Sequence, residues 1–314
     1  MARIFGIIGG GKMVIECINH ILSFEGTAIP FVIYDPDMDV NENLIEYCYE
    51  KKIHSFGFRK INSPECIDII RSAAPDIIFS MSNFKIIKKE MIEIPKFGII
   101  NFHNGPVPLY RGLNVVSWAI FNDESSYGVS WHYVDEGIDT GAVIAQTMFD
   151  VDANETAGRL LVKCVIGGLK LFREIFIYLY NGNIDKLNQN GPQTYYSSKD
   201  KPENNGVLNF NWPFQKIDRM VRGLNYIPFK NNYMYARLLS DSTKIIVNEV
   251  SKVDSVNSNY PPGKILKLDK EQLYIKCSDG IVSINELMDD EHESLKPFDV
   301  SRILNLKEGD IISG

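Results

Sequence analysis

Short apolar runs alternate with amphipathic helical patterns through the first two hundred residues, and this alternation restricts the possible folds more than any other feature. Runs at 3–8, 29–34, 75–80 and 97–103 predict four buried strands, with helical periodicity between them. Parallel strands need long, usually helical connections, so this order predicts a mostly parallel sheet with helical crossovers. We therefore expect an α/β domain at the start of the chain.

The chain changes character after its longest predicted helix, 154–181. A segment rich in Asn, Ser, Pro and Gly follows at 188–206 and is typical of a linker that runs over the surface. Short strand-like runs separated by turn residues occupy the remainder, which indicates a small β-rich, barrel-like domain. We predict a catalytic domain at 1–204 and a C-terminal β-rich domain at 205–314.

Composition and charge exclude several classes of protein. The chain is 45 % hydrophobic and 23 % charged, as in ordinary globular proteins. A net charge of −7 argues against a broad grip on nucleic-acid backbones, which needs clustered Lys and Arg. No clean apolar run reaches the roughly 18 residues of a membrane helix, and the first strand has no signal-peptide cleavage site. The five cysteines form no CxxC pair, so they predict reduced thiols in a cytoplasmic protein, without disulfides or a zinc site.

Three polar side chains between residues 101 and 141 form the candidate site. Side chains alternate along a strand, so Asn101 and His103 project from the same face of the strand at 97–103. They stand at its carboxyl end, where open α/β sheets bind their ligands. Asp139 lies in a turn-rich segment at 135–141, between two later strands. Each residue alone is more often structural, but the combination indicates a reaction site.

The chemistry of these residue types points to transfer or hydrolysis at a carbonyl. An amide can donate to a developing oxyanion, an imidazole can exchange a proton near neutral pH, and a carboxylate can orient that imidazole. No Ser or Cys has the sequence context of a nucleophile elbow, which favours direct transfer over a covalent intermediate. The residues alone therefore predict acyl or formyl transfer, or hydrolysis, at this strand end.

Three motifs in this window carry a resemblance to a known family. Asn101-Phe102-His103 and the segments 108–112 and 137–141 resemble the signature of the formyltransferases that use 10-formyltetrahydrofolate. That family includes methionyl-tRNA formyltransferase, the nucleotide-amino-sugar N-formyltransferases and the formylation domains of peptide synthetases. Segments 206–212 and 221–224 are similar to the start of the family's C-terminal domain, and the resemblance fades after about residue 250.

The resemblance implies a Rossmann-like catalytic domain followed by a small barrel-like domain, and catalytic roles for Asn101, His103 and Asp139. It implies 10-formyltetrahydrofolate as co-substrate, with its pterin ring between residues 81–84 and the loop 133–139, held largely by backbone groups. The implied folate-binding residues are Met81, Ser82, Asn83, Phe84, Pro108, Asp135 and Gly137. The second domain is a candidate for contacts in a homodimer.

Two departures from the methionyl-tRNA branch bear on which amine is formylated. That branch has a Lys/Arg-rich insertion after the second strand, whereas residues 35–42 here are acidic and would repel RNA. Residues 104–108 also replace the family's usual Ser-Leu-Leu-Pro. The windows 112–120 and 128–132 look like the peptide-synthetase branch. We predict a small-molecule primary amine, on a nucleotide-linked amino sugar or a carrier-bound aminoacyl group, with initiator tRNA as the alternative.

An oxidoreductase that binds a dinucleotide is the rival from another class. Gly9-Gly10-Gly11 follows the first strand and Asp35 ends the next, as in a dinucleotide fingerprint. The fingerprint needs a third Gly or Ala where Val14 stands, so we interpret the glycines as a tight turn onto the helix. A hydrolase that deformylates the folate is a further alternative, since the same three groups can activate water.

The remaining histidines are assigned no catalytic role. His132 lies on a predicted strand at 128–134 and faces either the pocket or the surface. His20, His54 and His292 are scattered and lack the spacing of metal ligands.

Overall fold

Two compact units make up the chain. The computed structural model describes residues 3–38, 42–182, 185–238, 245–253 and 259–312. One unit comprises Met1–Gly112, Ser126–Asp150 and Val162–Tyr195, and the other comprises Leu113–Ser125, Val151–Leu161 and Tyr196–Gly314. The predicted division of the sequence at residue 204 stays a prediction.

A mixed eight-stranded sheet forms the centre of the first unit. In the described part of the chain up to residue 196, the strands are β1 (Arg3–Gly9), β2 (Thr27–Ala28), β3 (Phe31–Tyr34), β4 (His54–Gly57), β5 (Ile77–Met81), β6 (Ile99–His103), β7 (Arg111–Gly112), β8 (Ser126–Tyr133), β9 (Val143–Asp150) and β10 (Tyr195–Tyr196). The large sheet has the order β4-β3-β1-β5-β6-β8-β9, with β2 beside β1, while β7 and β10 pair separately. Strands β1 to β6 pair in parallel and β8 and β9 are antiparallel, which confirms the mostly parallel, Rossmann-like α/β fold.

Helices separate most of the successive parallel strands, and two more helices follow later in the chain. Their bounds are α1 (Lys12–Leu22), α2 (Glu42–Glu50), α3 (Pro64–Ala73), α4 (Lys89–Ile92), α5 (Val115–Phe121) and α6 (Ala157–Asn181). Helix α6 ends where Gly182 takes a φ of +77°, a conformation that favours glycine. None of the helices in the described ranges combines the length and apolarity that crossing a bilayer requires.

Packing against α6 decides which face of β6 and β8 carries the polar side chains. The rings of Phe102 and Trp131 lie 5.3 Å apart, and Trp131 donates from Nε1 to the Gly168 carbonyl at 3.0 Å. A Cβ on Gly168 would lie 2.1 Å from the Phe102 ring, so the helix meets the sheet closely here. Because side chains alternate along a strand, Asn101 and His103 lie on the opposite face of the sheet.

The second unit contains a five-stranded antiparallel sheet among its described residues. Its elements are α7 (Phe214–Leu224), β11 (Ile246–Val253), β12 (Ile265–Leu268), β13 (Leu273–Lys276), β14 (Ile281–Met288), β15 (Ser294–Leu295) and α8 (Pro297–Leu304). The order is β11-β14-β13-β12, with β15 beside β14. One apolar core joins this sheet to α7 and α8, which confirms the predicted β-rich C-terminal region.

Candidate active site

The three predicted catalytic side chains come together at the carboxyl end of β6, and a fourth residue joins them. Nδ1 of His103 lies 3.5 Å from Oδ2 of Asp139. Nε2 of His132 lies 3.4 Å from Oδ1 of the same carboxylate and 3.3 Å from Nδ2 of Asn101. The antiparallel register of β6 and β8 sets Asn101 directly opposite His132. His132 therefore lies within the site. The sequence alone did not decide whether its side chain faces the pocket or the surface.

Contacts with backbone carbonyls indicate which ring nitrogen of His103 and of His132 carries a hydrogen. Nε2 of His103 lies 2.6 Å from the Tyr110 carbonyl, and Nδ1 of His132 lies 2.8 Å from the Tyr133 carbonyl. A carbonyl oxygen only accepts, so each of these ring nitrogens carries a hydrogen and donates it. The other nitrogen of each ring faces Asp139. Both imidazoles therefore turn their exchangeable nitrogen toward one carboxylate.

Burial and neighbouring charge separate the protonation states of Asp139 and His103. Burial alone would raise the pKa of Asp139, but the two imidazoles and the Gly112 N–H, 2.8 Å from Oδ2, hold that pKa well below its usual range. Burial lowers the pKa of His103 below its ordinary value of 6.5, although Asp139 and the Tyr110 carbonyl oppose this effect. Near neutral pH, Asp139 is therefore a carboxylate and His103 is a neutral base.

Hydrogen bonds from a distant segment hold the backbone of the Asp139 turn. Asp139 has a φ of +53°, a conformation that costs a residue other than glycine on the order of 1–3 kcal/mol. Gln189 donates from Nε2 to the carbonyls of Asp139 at 2.8 Å and Gly141 at 2.7 Å, and its Oε1 accepts from Arg111. Part of the polar segment predicted as a surface linker thus supports the turn.

The loop between β6 and β7 is tied to the sheet and delivers the Tyr110 carbonyl to His103. Ser130 donates to the Gly105 carbonyl at 2.7 Å and accepts from the Val107 N–H at 3.1 Å. A Cβ on Gly105 would lie 2.6 Å from the Tyr110 oxygen and 2.8 Å from Nε2 of His103. Only glycine leaves room for this close approach, so Gly105 is part of what orients the imidazole.

The segment predicted to bind the pterin ring follows β5 directly. The side chain of Met81 is fully buried, so only its backbone is available to a ligand. Ser82 has a φ of +52°, and Asn83 accepts from the Lys85 N–H at 3.0 Å, which closes a tight turn. Phe84 is 72 % exposed. The turn therefore offers backbone groups and one exposed aromatic ring to a planar ligand.

The other predicted folate residues lie in the loops around Asp139. The carboxylate of Asp135 accepts from the Thr140 hydroxyl at 2.6 Å and from the Gly137 N–H at 3.1 Å. Its role in the structure is to form the turn that leads to Asp139. The Pro108 carbonyl accepts from the Thr194 N–H at 3.2 Å. Folate binding by Pro108, Asp135 and Gly137 stays a prediction.

The glycine-rich turn after β1 is explained by close packing. A Cβ on Gly9 would lie 1.7 Å from the Met81 carbonyl oxygen, so the turn needs glycine whatever the ligand. Asp35, the acid expected of a dinucleotide site, forms an ion pair with Lys85 at 2.9 Å and accepts from the Asp37 N–H. These contacts support the tight-turn interpretation of the glycines.

Acidic, cysteine and histidine side chains form no three-residue arrangement suited to a metal ion within the described ranges. All five cysteines are buried, and none of them forms a disulfide.

Comparison with known proteins gives the family. The model of the family described as "Formyl transferase" matches residues 37–166, and that of "Formyl transferase, C-terminal domain" matches residues 201–305. Methionyl-tRNA formyltransferase of Ruminiclostridium cellulolyticum is 30 % identical over 258 residues, which cover 82 % of this chain and 80 % of that protein.

Solved structures share the fold at lower sequence identity. The N-formyltransferase of Helicobacter canadensis, in complex with folinic acid and dTDP-3-aminofucose, has a TM-score of 0.65 and 22 % identity, covering 91 % of this chain and 99 % of that one. WlaRD, a sugar 3N-formyltransferase crystallised with dTDP and 5-N-formyl-THF, has a TM-score of 0.65 and 23 % identity, covering 90 % and 97 %.

Proposed function

The chain belongs to the formyl transferase family and is a transferase, and from this premise we propose that it moves the formyl group of 10-formyltetrahydrofolate to a primary amine of a small molecule. The observation that carries this proposal is the cluster at the end of β6. The imidazole of His103 lies 3.5 Å from the Asp139 carboxylate, and His132 links that carboxylate to the Asn101 amide through contacts of 3.4 and 3.3 Å. These are the groups that amine attack on a formyl carbon requires.

Each residue of the cluster has a distinct role in this proposal. His103 accepts the proton that the amine nitrogen loses, and Asp139 stabilises the imidazolium that forms. Asn101 donates an N–H to the formyl oxygen as negative charge develops there. An acid–base group of this kind contributes about 10²–10⁴-fold to the rate, and one oxyanion donor about 10²–10³-fold.

Two observations support a folate as the formyl donor. Structures of the same fold were solved with folinic acid and with 5-N-formyl-THF. The turn after β5 offers backbone groups and the exposed Phe84 ring, which suit a flat heterocycle. We infer that Met81, Ser82, Asn83 and Phe84 form one wall of the folate site.

The acceptor is proposed to be a nucleotide-linked amino sugar or a carrier-bound aminoacyl group. The fold neighbours named above include enzymes crystallised with dTDP and with a dTDP-linked amino sugar. The acidic segment 35–42 is a weaker argument against RNA binding than its sequence suggests. Two of its negative charges are offset, because Asp35 pairs with Lys85 and Asp37 with Arg59, each at 2.9 Å. Residues 39–41 of that segment lie outside the described residues.

Initiator tRNA is the second candidate acceptor. A relative named methionyl-tRNA formyltransferase reaches 30 % identity, above that of the sugar-modifying neighbours. The chain's net charge of −7 argues the other way, because contacts with RNA phosphates depend on Lys and Arg. A homodimer, predicted through the second domain, stays a prediction.

An acceptor panel distinguishes these possibilities. The purified protein is incubated with 10-formyltetrahydrofolate and, separately, with dTDP- and UDP-linked amino sugars, a carrier-bound aminoacyl thioester, and charged initiator tRNA. We expect mass spectrometry to show a formylated sugar or aminoacyl group. Formylation of the tRNA alone would reverse the acceptor preference. Formate release without any amine would identify the deformylating hydrolase instead.

Gln189 offers a test of how the Asp139 turn is held. We expect Gln189→Ala to lower kcat by up to about 30-fold, because two hydrogen bonds to the strained turn, worth about 1 kcal/mol each, are lost. Gln193→Ala is the matched control, since its side chain also binds Arg111, at 2.7 Å, and has no described bond to that turn. Steady-state kinetics should separate the two variants. Equal kcat values for both would show that Gln189 does not support catalysis.

A further inference from the structure

One ring nitrogen of His132, Nε2, faces both a hydrogen-bond donor and a hydrogen-bond acceptor. Nε2 lies 3.3 Å from Nδ2 of Asn101, which is a donor, and 3.4 Å from Oδ1 of Asp139, which is an acceptor. His132 is 2 % exposed, so water does not serve either contact freely. A ring nitrogen either accepts with its lone pair or donates a hydrogen. Nε2 can therefore satisfy Asn101 or Asp139 at any moment, but not both.

We propose that His132 is a positioning residue that holds the Asn101 N–H at rest and releases it to the formyl oxygen when the site takes up the proton of the amine. The inference rests on the proposed function and assigns a role to a residue that the predicted catalytic set omits.

The resting arrangement follows from the carbonyl contacts. Nδ1 of His132 donates to the Tyr133 carbonyl, so its Nε2 is the nitrogen with the lone pair. The Asn101 group that faces the Phe102 carbonyl at 3.1 Å must be its nitrogen, because two facing oxygens would repel. One hydrogen of Asn101 is thus bound by Phe102 and the other by His132. At rest Asn101 has no hydrogen left for a substrate oxygen.

The reaction itself supplies the proton that changes this arrangement. The bond between the amine nitrogen and the formyl carbon forms as the amine nitrogen loses one proton. The bond between the formyl carbon and N10 of the folate breaks as N10 gains one. The site must hold one proton between these events and has no net gain or loss of protons.

Asp139 connects the two nitrogens that can hold this proton. Nδ1 of His103 faces Oδ2, and Nε2 of His132 faces Oδ1. A proton that passes from Nδ1 of His103 to the Asp139 carboxylate reaches Nε2 of His132 when the carboxyl group rotates and turns its O–H toward that nitrogen. The transfer restores the carboxylate, turns His132 into a donor to Asp139 and ends its bond with Asn101. The freed Asn101 N–H then binds the formyl oxygen while it carries negative charge. The titratable groups near His132 are Asp139 and His103, whose ring centroid lies 6.3 Å away.

A double-mutant cycle tests whether His132 acts through Asn101. We expect His132→Phe, which leaves the Asn101 amide without the partner that orients it, to lower kcat about 10–100-fold while KM for the folate changes less than about twofold. Adding His132→Phe to the Asn101→Ala variant should lower kcat by less than about a further twofold, because the amide that His132 positions is already gone. His54→Phe, on the edge strand β4, is the matched control and should leave kcat unchanged.

Two kinetic outcomes would overturn the inference. One is a His132→Phe variant with the kcat of the wild type, and the other is a double variant in which the two losses multiply. His132→Gln serves as the second variant if the phenylalanine does not fold, since it keeps a polar group but cannot carry the proton. We expect it to bind the folate as the wild type does and to show the lowered kcat.

A spectroscopic measurement on the unliganded protein is independent of turnover. Nitrogen-15 NMR of the histidine rings should show His132 with its hydrogen on Nδ1 and none on Nε2, identified by its loss in His132→Phe. The same change should shift the side-chain amide resonances of Asn101. A hydrogen on Nε2 at rest would contradict the inference. A wild-type protein that formylates no amine would instead contradict the proposed function, whatever the NMR result.

Discussion

Replacing His103 with alanine should lower kcat by about 10²–10⁴-fold, because the variant loses the group that we propose takes the proton from the attacking amine. Its ring is buried and makes its contacts with the Tyr110 carbonyl and Asp139. Steady-state formyl transfer to the acceptor found in the panel provides the measurement, and circular dichroism checks that the variant is folded. His54→Ala is the control, since this histidine is exposed on β4. Near-normal transfer by His103→Ala would remove His103 from the mechanism.

The pH dependence of the wild type adds a second measurement of the same residue. Burial lowers the pKa of His103, and the base must be unprotonated to work. The acid limb of kcat/KM should therefore lie below pH 6.5, with activity lost as the pH falls through the lowered pKa. Asp139 opposes that lowering, so Asp139→Asn should move the limb further toward acid. An acid limb that survives unchanged in His103→Ala belongs to another group.

Replacing Asn101 with alanine should lower kcat by about 10²–10³-fold, because the formyl oxygen loses the donor that we propose stabilises its negative charge. The loss should fall on kcat, and KM for the folate should change little, since the bond strengthens only as the charge develops. Asn285→Ala is the control, because it removes an exposed amide on β14 in the other unit. Equal effects on kcat and on folate binding in Asn101→Ala would indicate a binding role instead.

Much of the fold could be predicted because burial repeats along the chain with the period of each element. The runs that form β1, β3, β5 and β6 are apolar, and their strands are buried in the sheet. Strand β4 was missed because its four residues, His54–Gly57, lie at an edge and are only partly buried. An edge strand receives its conformation from the neighbour it pairs with, and its own side chains carry little pattern.

The predicted site also contains some features that a local sequence pattern reveals and others that it does not. Alternation along β6 is a local property, so the common face of Asn101 and His103 follows from the sequence. Asp139 entered the predicted site from the turn-rich segment at 135–141, and no local pattern indicates how close that segment comes to β6. Gln189 lies 50 residues from Asp139, in a segment whose composition indicates only a surface linker. Its hydrogen bonds to the Asp139 turn have no local signal in the sequence.

The amino-acid sequence by itself determined the type of sheet and the common face of Asn101 and His103 at the end of β6, because both depend on neighbours in the chain. Only the tertiary structure decided that His132, 31 residues from Asn101, completes the cluster. The antiparallel register of β8 on β6 and the packing of Trp131 against α6 turn its ring toward Asp139. Register and packing arise between distant segments, so no pattern within either segment reveals them.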